Sequence, residues 1–381
     1  MLLRLRNRRT AGREHSVSNH LLLVAGSGRS GTSLLASVVG NLGFHVPRPW
    51  VKADDSNPRG FGESQWVVDR HVKLLRQANV HASDARPTAW ADAAKLCLDE
   101  QVNAEVRLWL QEQFWGHDQV LIKDPRLLWF LPLWCRVGEE LDATVHVVSM
   151  LRHPAEVVRS KLHWYQNMTL FDANRAAGWL NTMLFTERAT RDYRRAFIRF
   201  EDLLEDWTQP IARVSSQLEV PTLVTARARE QLSADDVVDS SLHRSKATWQ
   251  DLDVPKDLIY LTEQVWEGLL SLADLEADGD EAVLDRLDGY REEYVSYYRH
   301  AEHVAQSTTL AATRPLLQNK SPRPVAATMP ATARLRPPAS KPAQPEPPPN
   351  SRLGLARRLI PARARRLIPL RLKRALAELF G

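Results

Sequence analysis

Four short stretches of this sequence carry side chains able to handle anions and protons. The first, Gly26-Ser27-Gly28-Arg29-Ser30-Gly31-Thr32-Ser33, lies between an apolar run and a helical pattern. Glycines there let the backbone turn tightly and aim amide N–H groups at an anion, and the start of the next helix adds its dipole. A nucleoside-triphosphate loop needs a lysine after its last glycine; that position is Thr32, and the cation is Arg29, inside the loop. In the second stretch Arg152 follows an apolar run, Pro154 suits the first position of a helix, and Ser160 comes about two turns later, where its hydroxyl can face back to the strand end. An arginine fork and a hydroxyl converging there suit a second phosphate. Taken alone, an exposed arginine and an ordinary helical serine are the simpler account of that spacing. The third stretch, Lys123-Asp124-Pro125-Arg126, follows the run Val120–Ile122, which sends Lys123 beyond a strand end. The fourth, Asn57 to Glu63, is rich in turn residues and leads into a helix with the apolar stripe Val67, Val68, His71 and Val72. A carboxylate near a helix start is favoured by the dipole alone, so spacing does not separate a structural Glu63 from a proton acceptor. His71 reads as a packing histidine, with a base as the minor alternative.

Such residues need strands and helices to bring them together. Short runs rich in leucine and valine, at Leu21–Ala25, Val120–Ile122, Thr144–Met150 and Phe197–Phe200, alternate with longer helical patterns. That alternation predicts an α/β fold, a parallel sheet flanked by helices, whose ligands bind in the crevice beyond the carboxyl ends of the strands. The four stretches sit at those ends. Residues 82–118 and 170–195 read as helical elements for packing, with acceptor binding as the alternative, Glu201-Asp202 as a pair opening a helix, and His243-Arg244-Ser245-Lys246 as a basic loop with a weak claim on a nucleotide. The chain divides into a basic extension (1–18), a folded domain (19–303), a linker (304–350) and a tail (351–381). In the linker the helical pattern fades, and 11 of the 23 prolines lie between Pro315 and Pro349, which predicts an extended, disordered spacer. The tail repeats Ala-Arg-Arg-Leu-Ile-Pro at Ala356–Pro361 and Ala364–Pro369 and ends with Leu372, Leu376, Leu379 and Phe380 on one helical face.

With these motifs in this order, the chain resembles the sulfotransferases that use 3′-phosphoadenosine 5′-phosphosulfate (PAPS), in particular their bacterial and tyrosylprotein branches. The resemblance rests on the loop with arginine ahead of Ser-Gly-Thr-Ser, on Lys123-Asp124-Pro125, on the Gly62-Glu63 start of a helix and on Arg152 with Ser160 eight residues later. It runs from about Leu21 to Leu204. Many bacterial members carry asparagine where Ser64 and His71 stand. The resemblance implies a P-loop sulfotransferase-type fold, with Ser27, Gly28, Arg29, Ser30, Gly31, Thr32 and Ser33 around the 5′-phosphate and sulfuryl group, and Arg152 and Ser160 on the 3′-phosphate. It further implies Glu63 as general base for an acceptor hydroxyl and Lys123, with Arg29, as the charges that steady the leaving nucleotide. Arg126 and His71 are weaker candidates for contact with the acceptor. No metal is expected, since a sulfuryl group carries less negative charge than a phosphoryl group and fixed cations can neutralise it.

Composition bounds the alternatives. The 381 residues, 44% hydrophobic and 25% charged, suffice for a buried core. Net charge is +5, but the tail alone holds +8 and residues 1–13 hold five arginines, which leaves −8 for the body. Positive charge confined to the ends argues against a nucleic-acid enzyme and suggests a peripheral contact of the tail with an anionic membrane. The two cysteines predict neither a disulfide framework nor a zinc site, no run is long enough to span a bilayer, and Met1–Arg9 lacks the apolar segment of a signal peptide, so a cytoplasmic protein is expected. Two rival readings remain at this point: a P-loop kinase or NTPase, and a non-catalytic nucleotide-binding module tethered by its basic tail. The acceptor could be a glycan, a glycolipid, a natural product or a peptide.

Overall fold

The strand β1 (His20–Ala25) is apolar at five consecutive positions because both of its faces are covered. Leu21, Leu23 and Ala25 point into one layer, and Leu22 and Val24 into the other. Leu21, Leu22 and Leu23 are fully buried, and each contributes on the order of 1.5–3 kcal/mol. The chain is described here from a computed structural model, which covers residues 19–165, 170–220, 223, 246–274 and 280–318. Residues 1–18, His243 to Ser245, the rest of the proline-rich stretch and the basic tail lie outside the described residues.

After β1 come α1 (Thr32–Asn41), α2 (Gln65–Ala78), α3 (Ala89–Cys97), α4 (Glu100–Phe114), β2 (Gln119–Lys123) and α5 (Leu131–Glu140). There follow β3 (Thr144–Leu151), α6 (Pro154–Trp164), α7 (Asp172–Ala189), β4 (Arg194–Arg199), α8 (Phe200–Glu205), α9 (Thr208–Leu218), α10 (Lys256–Asp274) and α11 (Glu281–Gln318). The four strands form one parallel sheet in the order β2-β1-β3-β4. Helices α2 to α5 cover one face, around Trp129, Phe130 and Trp134, and α1, α8 and α9 cover the other. A third apolar cluster joins α6, α7, α10 and α11 to Leu151 and Phe197.

The chain leaves β1 for an edge of the sheet at β2 and then crosses back to β3 on the other side. This reversal opens a crevice at the carboxyl ends of β1 and β3, where parallel sheets of this kind bind ligands. The loop after β1 and Arg152 after β3 flank it. The expected α/β fold, a parallel sheet flanked by helices, is present, and no helix among the described residues is long and apolar enough to cross a membrane. Two boundaries differ from the sequence reading. Strand β4 starts at Arg194 and ends before Phe200, which instead opens α8. Helix α11 continues to Gln318, so the first part of the segment assigned to the linker from residue 304 is helical. Residues through Thr313 form one compact unit; Arg314–Gly381 form a second, described only to Gln318.

Candidate active site

Each strand end delivers one component to the crevice. Beyond β1 the loop Gly26 to Gly31 turns into α1, with Gly31 as N-cap at φ 93. As at any helix start, the first amide N–H groups of α1 have no intrahelical acceptor, and they face the same mouth as the dipole. A Cβ on Gly31 would run into the Phe200 ring, so this position demands glycine on both conformational and steric grounds. Gly31→Ala is expected to lower stability by about 1–3 kcal/mol, read as a fall in the urea midpoint; an unchanged midpoint would mean that Phe200 gives way freely. Arg29 also takes the left-handed conformation, at φ 75, which bends the loop so that its side chain leaves toward α6. There its Nε donates to Ser160 Oγ at 3.1 Å, its guanidinium reaches the Ser56 carbonyl, and it sits 5.5 Å from the Trp164 ring centroid.

Beyond β3, Arg152 donates to Glu156 Oε2 at 2.9 Å and to the Arg29 carbonyl at 3.1 Å, with its guanidinium 4.6 Å from the Phe200 ring centroid. Pro154 occupies the start of α6, and Ser160, two turns along, faces back into the cleft as its spacing predicted. Arg29 and Arg152 are thus tied together by the loop backbone and by α6.

At the carboxyl end of β2, Lys123 is 3% exposed and spends all three N–H groups. It donates to Glu63 Oε1 at 2.5 Å and to Ser33 Oγ and the Phe61 carbonyl at 2.9 Å each. Carboxylate, ammonium and anion-loop hydroxyl therefore form one hydrogen-bonded chain. Glu63 lies just before Ser64, the N-cap of α2, and is 5% exposed. Burial pushes its carboxyl above the ordinary glutamate value, while the Lys123 ammonium pulls the other way.

Arg126 lines the same cleft, fixed by Asp124, whose Oδ1 accepts from the Arg126 guanidinium at 2.5 Å and from its amide at 3.1 Å. The second Asp124 oxygen is 2.7 Å from His71 Nδ1. Burial raises the Asp124 carboxyl, but the hydrogen bond from His71, and then the Arg126 charge, outweigh it and hold the group below the usual carboxylate range.

Of the residues singled out from sequence, the cleft gathers Arg29, Gly31, Thr32, Ser33, Glu63, Lys123, Arg126, Arg152 and Ser160. Others stand apart. His71 is fully buried behind the site: the Trp134 indole, a donor only, gives its N–H to Nε2 at 2.8 Å, so the neutral ring carries its proton on Nδ1 and donates it to Asp124. With both nitrogens engaged it orients Asp124, and it does not line the cleft, which argues against it as an alternative base. Ser27 Oγ is occupied by Lys161, Gly28 packs near Pro125, and Ser30 Oγ is buried without a hydrogen-bond partner among the described residues. The loop thus offers its backbone, and not the Ser27 and Ser30 side chains, to the cleft. Sequence reasoning missed Trp164, Tyr165 and Phe200 as cleft residues. The first two close α6 little more than one turn beyond Ser160, a spacing that could have placed them. Burial holds the Tyr165 hydroxyl above its ordinary pKa, with the Arg29 charge pulling it down.

No protein-family model and no curated protein matches the chain. Among solved structures it is similar to the sulfotransferase domain from the Synechococcus PCC 7002 olefin synthase, at 19% identity and a TM-score of 0.39, over 66% of this chain and 96% of that one. It is also similar to the sulfotransferase domain from the curacin biosynthetic pathway, at 18% and 0.39 over 66% and 98%, and to the sulfotransferase STF1 from Mycobacterium tuberculosis H37Rv, at 14% and 0.38 over 60% and 76%. Likeness at this level leaves function to rest on the residues of the site.

Proposed function

We propose that this chain transfers a sulfuryl group from PAPS to an acceptor hydroxyl and releases 3′-phosphoadenosine 5′-phosphate (PAP). The observation that carries this reading is the hydrogen-bonded chain from Glu63 through Lys123 to Ser33, set in a cleft that three arginines also line. Four cations around one carboxylate suit a donor with several negative charges, and a single carboxylate raised by burial suits a proton acceptor. The donor supplies an activated sulfur bonded to a phosphate leaving group. The chain supplies everything around it. Arg29 and the amides that open α1 hold the 5′-phosphosulfate, and Arg152 and Ser160, at the next strand end, distinguish a 3′-phosphate. Glu63 takes the acceptor proton as the new O–S bond forms. Lys123 and Arg29 stabilise the charge that develops on the phosphate oxygen as its bond to sulfur breaks. Arg126, anchored by Asp124, contacts the sulfuryl group or the acceptor.

Lys123 and Glu63 hold each other before reaction, which links their two tasks. As Lys123 turns toward the leaving oxygen, Glu63 loses the ammonium that kept it ionised and becomes the stronger base when the acceptor proton must be taken. The kinase or NTPase reading is disfavoured by Thr32, which occupies the position where nucleoside-triphosphate loops carry lysine.

A thermal-shift comparison of PAP, ATP and AMP tests the reading. At a hundredfold excess over its Kd a ligand that binds only the native state adds about 2.7 kcal/mol. For a domain of this size that is a rise of roughly 4–5 °C in Tm. PAP should give this rise and AMP, which lacks the 3′-phosphate, much less. Equal shifts for PAP and AMP would remove the 3′-phosphate site, and a shift with ATP alone would favour the kinase reading.

A further inference from the structure

Two neighbouring residues of α6 grip the anion loop. Ser160 accepts from Arg29, as described above. The next residue, Lys161, is 4% exposed and passes behind the loop, where its Nζ donates to Ser27 Oγ at 2.9 Å and to Ser83 Oγ at 3.1 Å. Ser83 belongs to the connection between α2 and α3, which is itself pinned. Asn181 of α7 donates to the Asp84 and Arg86 carbonyls, Tyr294 of α11 donates to the Ala85 carbonyl, and Gly178 is approached so closely by the Ser83 carbonyl that any side chain there would collide with it. Lys161 therefore braces Ser27, and with it the turn Ser27 to Ser30, against a rigid support.

The partners of this lysine are unusual for a buried cation. Both acceptors are neutral hydroxyls, and among the described residues Lys161 has no carboxylate in an ion pair. The charged and titratable groups that act on it are the Arg175 guanidinium from α7 and His81 from the same connection as Ser83; neither compensates a positive charge. Two acceptors match the two N–H groups of a neutral amine, whereas an ammonium leaves its third N–H and its charge without a partner. Burial, followed by Arg175, brings Lys161 down to about 7, so near neutrality the free protein holds it in both forms. An anion arriving on the other side of the loop provides the missing compensation.

We propose that Lys161 is a positioning residue of the anion loop, bracing Ser27 from behind and taking up a proton from solvent when the phosphates of the donor bind. The step is R–NH2 + H+ → R–NH3+, with no other bond changed. It rests on the donor reading given above and extends it: donor affinity becomes linked to pH through a group that never touches the donor. Reciprocity fixes the sign, because a ligand that favours the protonated lysine must bind more weakly as pH rises above the lysine's free value.

The test is calorimetric titration of the full chain with PAP at pH 8 in two buffers of different ionisation enthalpy, together with Kd across pH 7 to 9. Wild type is expected to take up close to one proton per PAP at pH 8, and its Kd to weaken by up to about tenfold per pH unit above 7. Lys161→Met keeps the length of the side chain and removes the charge. It should bind PAP at least about tenfold more weakly at pH 7, lose most of the proton uptake and show a nearly flat Kd over this range. Titration of PAP itself and of Glu63 is common to both proteins and cancels in the comparison. Wild-type binding without proton uptake, or an identical uptake in Lys161→Met, overturns the proposal and leaves the donor reading intact. Absence of any PAP binding by wild type overturns both. Should Lys161→Met fail to fold, wild type decides the question by its proton count, and Ser83→Ala, which removes one acceptor and no charge, should retain the uptake.

Discussion

Glu63→Gln lowers turnover by roughly 10² to 10⁴ fold, the range for removal of a positioned proton acceptor, and leaves PAP affinity within about twofold. Glutamine keeps the shape and the oxygen that accepts from Lys123, so the loss reports basicity. The pH profile separates this from damage to the site. Glu63 must be ionised to act, and burial holds its carboxyl above the ordinary glutamate value, so in wild type activity should fall with acid at a pH above that value. In Glu63→Gln that limb should vanish from the residual rate. Asp69 supplies the control: it is an exposed carboxylate on α2 that accepts from Gln65 at 2.9 Å, and Asp69→Asn should cost less than twofold by the same reckoning. A Glu63→Gln enzyme with near-normal turnover and an intact fold would end the assignment. His71 could not inherit the role, since both its ring nitrogens are committed to Trp134 and Asp124.

The parts of this molecule that could be read from its sequence are those governed by local rules. Apolar runs gave the strands because a parallel strand is covered on both faces, and the glycine loop, Lys123, Arg152 and Ser160 sit where a strand-end reading puts them. Strand β4 was misjudged because Arg194 and Arg195 open it; Arg195 is buried and paired with Glu187, a partner that no strand pattern announces. The end of α11 was missed for the opposite reason. Nearly all side chains from Arg299 to Arg314 are exposed, so no apolar stripe marks the helix there. Within the site, the fate of His71 depended on Asp124 and Trp134, 53 and 63 residues away, and that of Lys161 on Ser27, 134 residues away. A buried lysine among hydroxyls leaves no periodic trace, because its burial is a property of the packed loops and not of its own helix.

Lys123→Met carries the second large effect, and its size follows from doing two things at once. The variant removes the charge proposed to stabilise the leaving oxygen, a loss of about 10² to 10³ in turnover by analogy with other preorganised groups that stabilise developing charge. It also leaves Glu63 buried with no ammonium to offset its desolvation and with the Asp124 charge still acting on it. The Glu63 carboxyl then rises further, and the acid limb of the pH profile moves upward from its wild-type position. Turnover of Lys123→Met should therefore recover in part as pH is raised, whereas that of Glu63→Gln should not. The double variant gives the sharper measurement. If the pair works as one unit, Glu63→Gln with Lys123→Met should be impaired little more than the worse single variant, as found for residues whose contributions depend on each other. A double variant whose loss equals the product of the two single losses would show that the 2.5 Å contact between Lys123 and Glu63 is structural and that base and cation act independently.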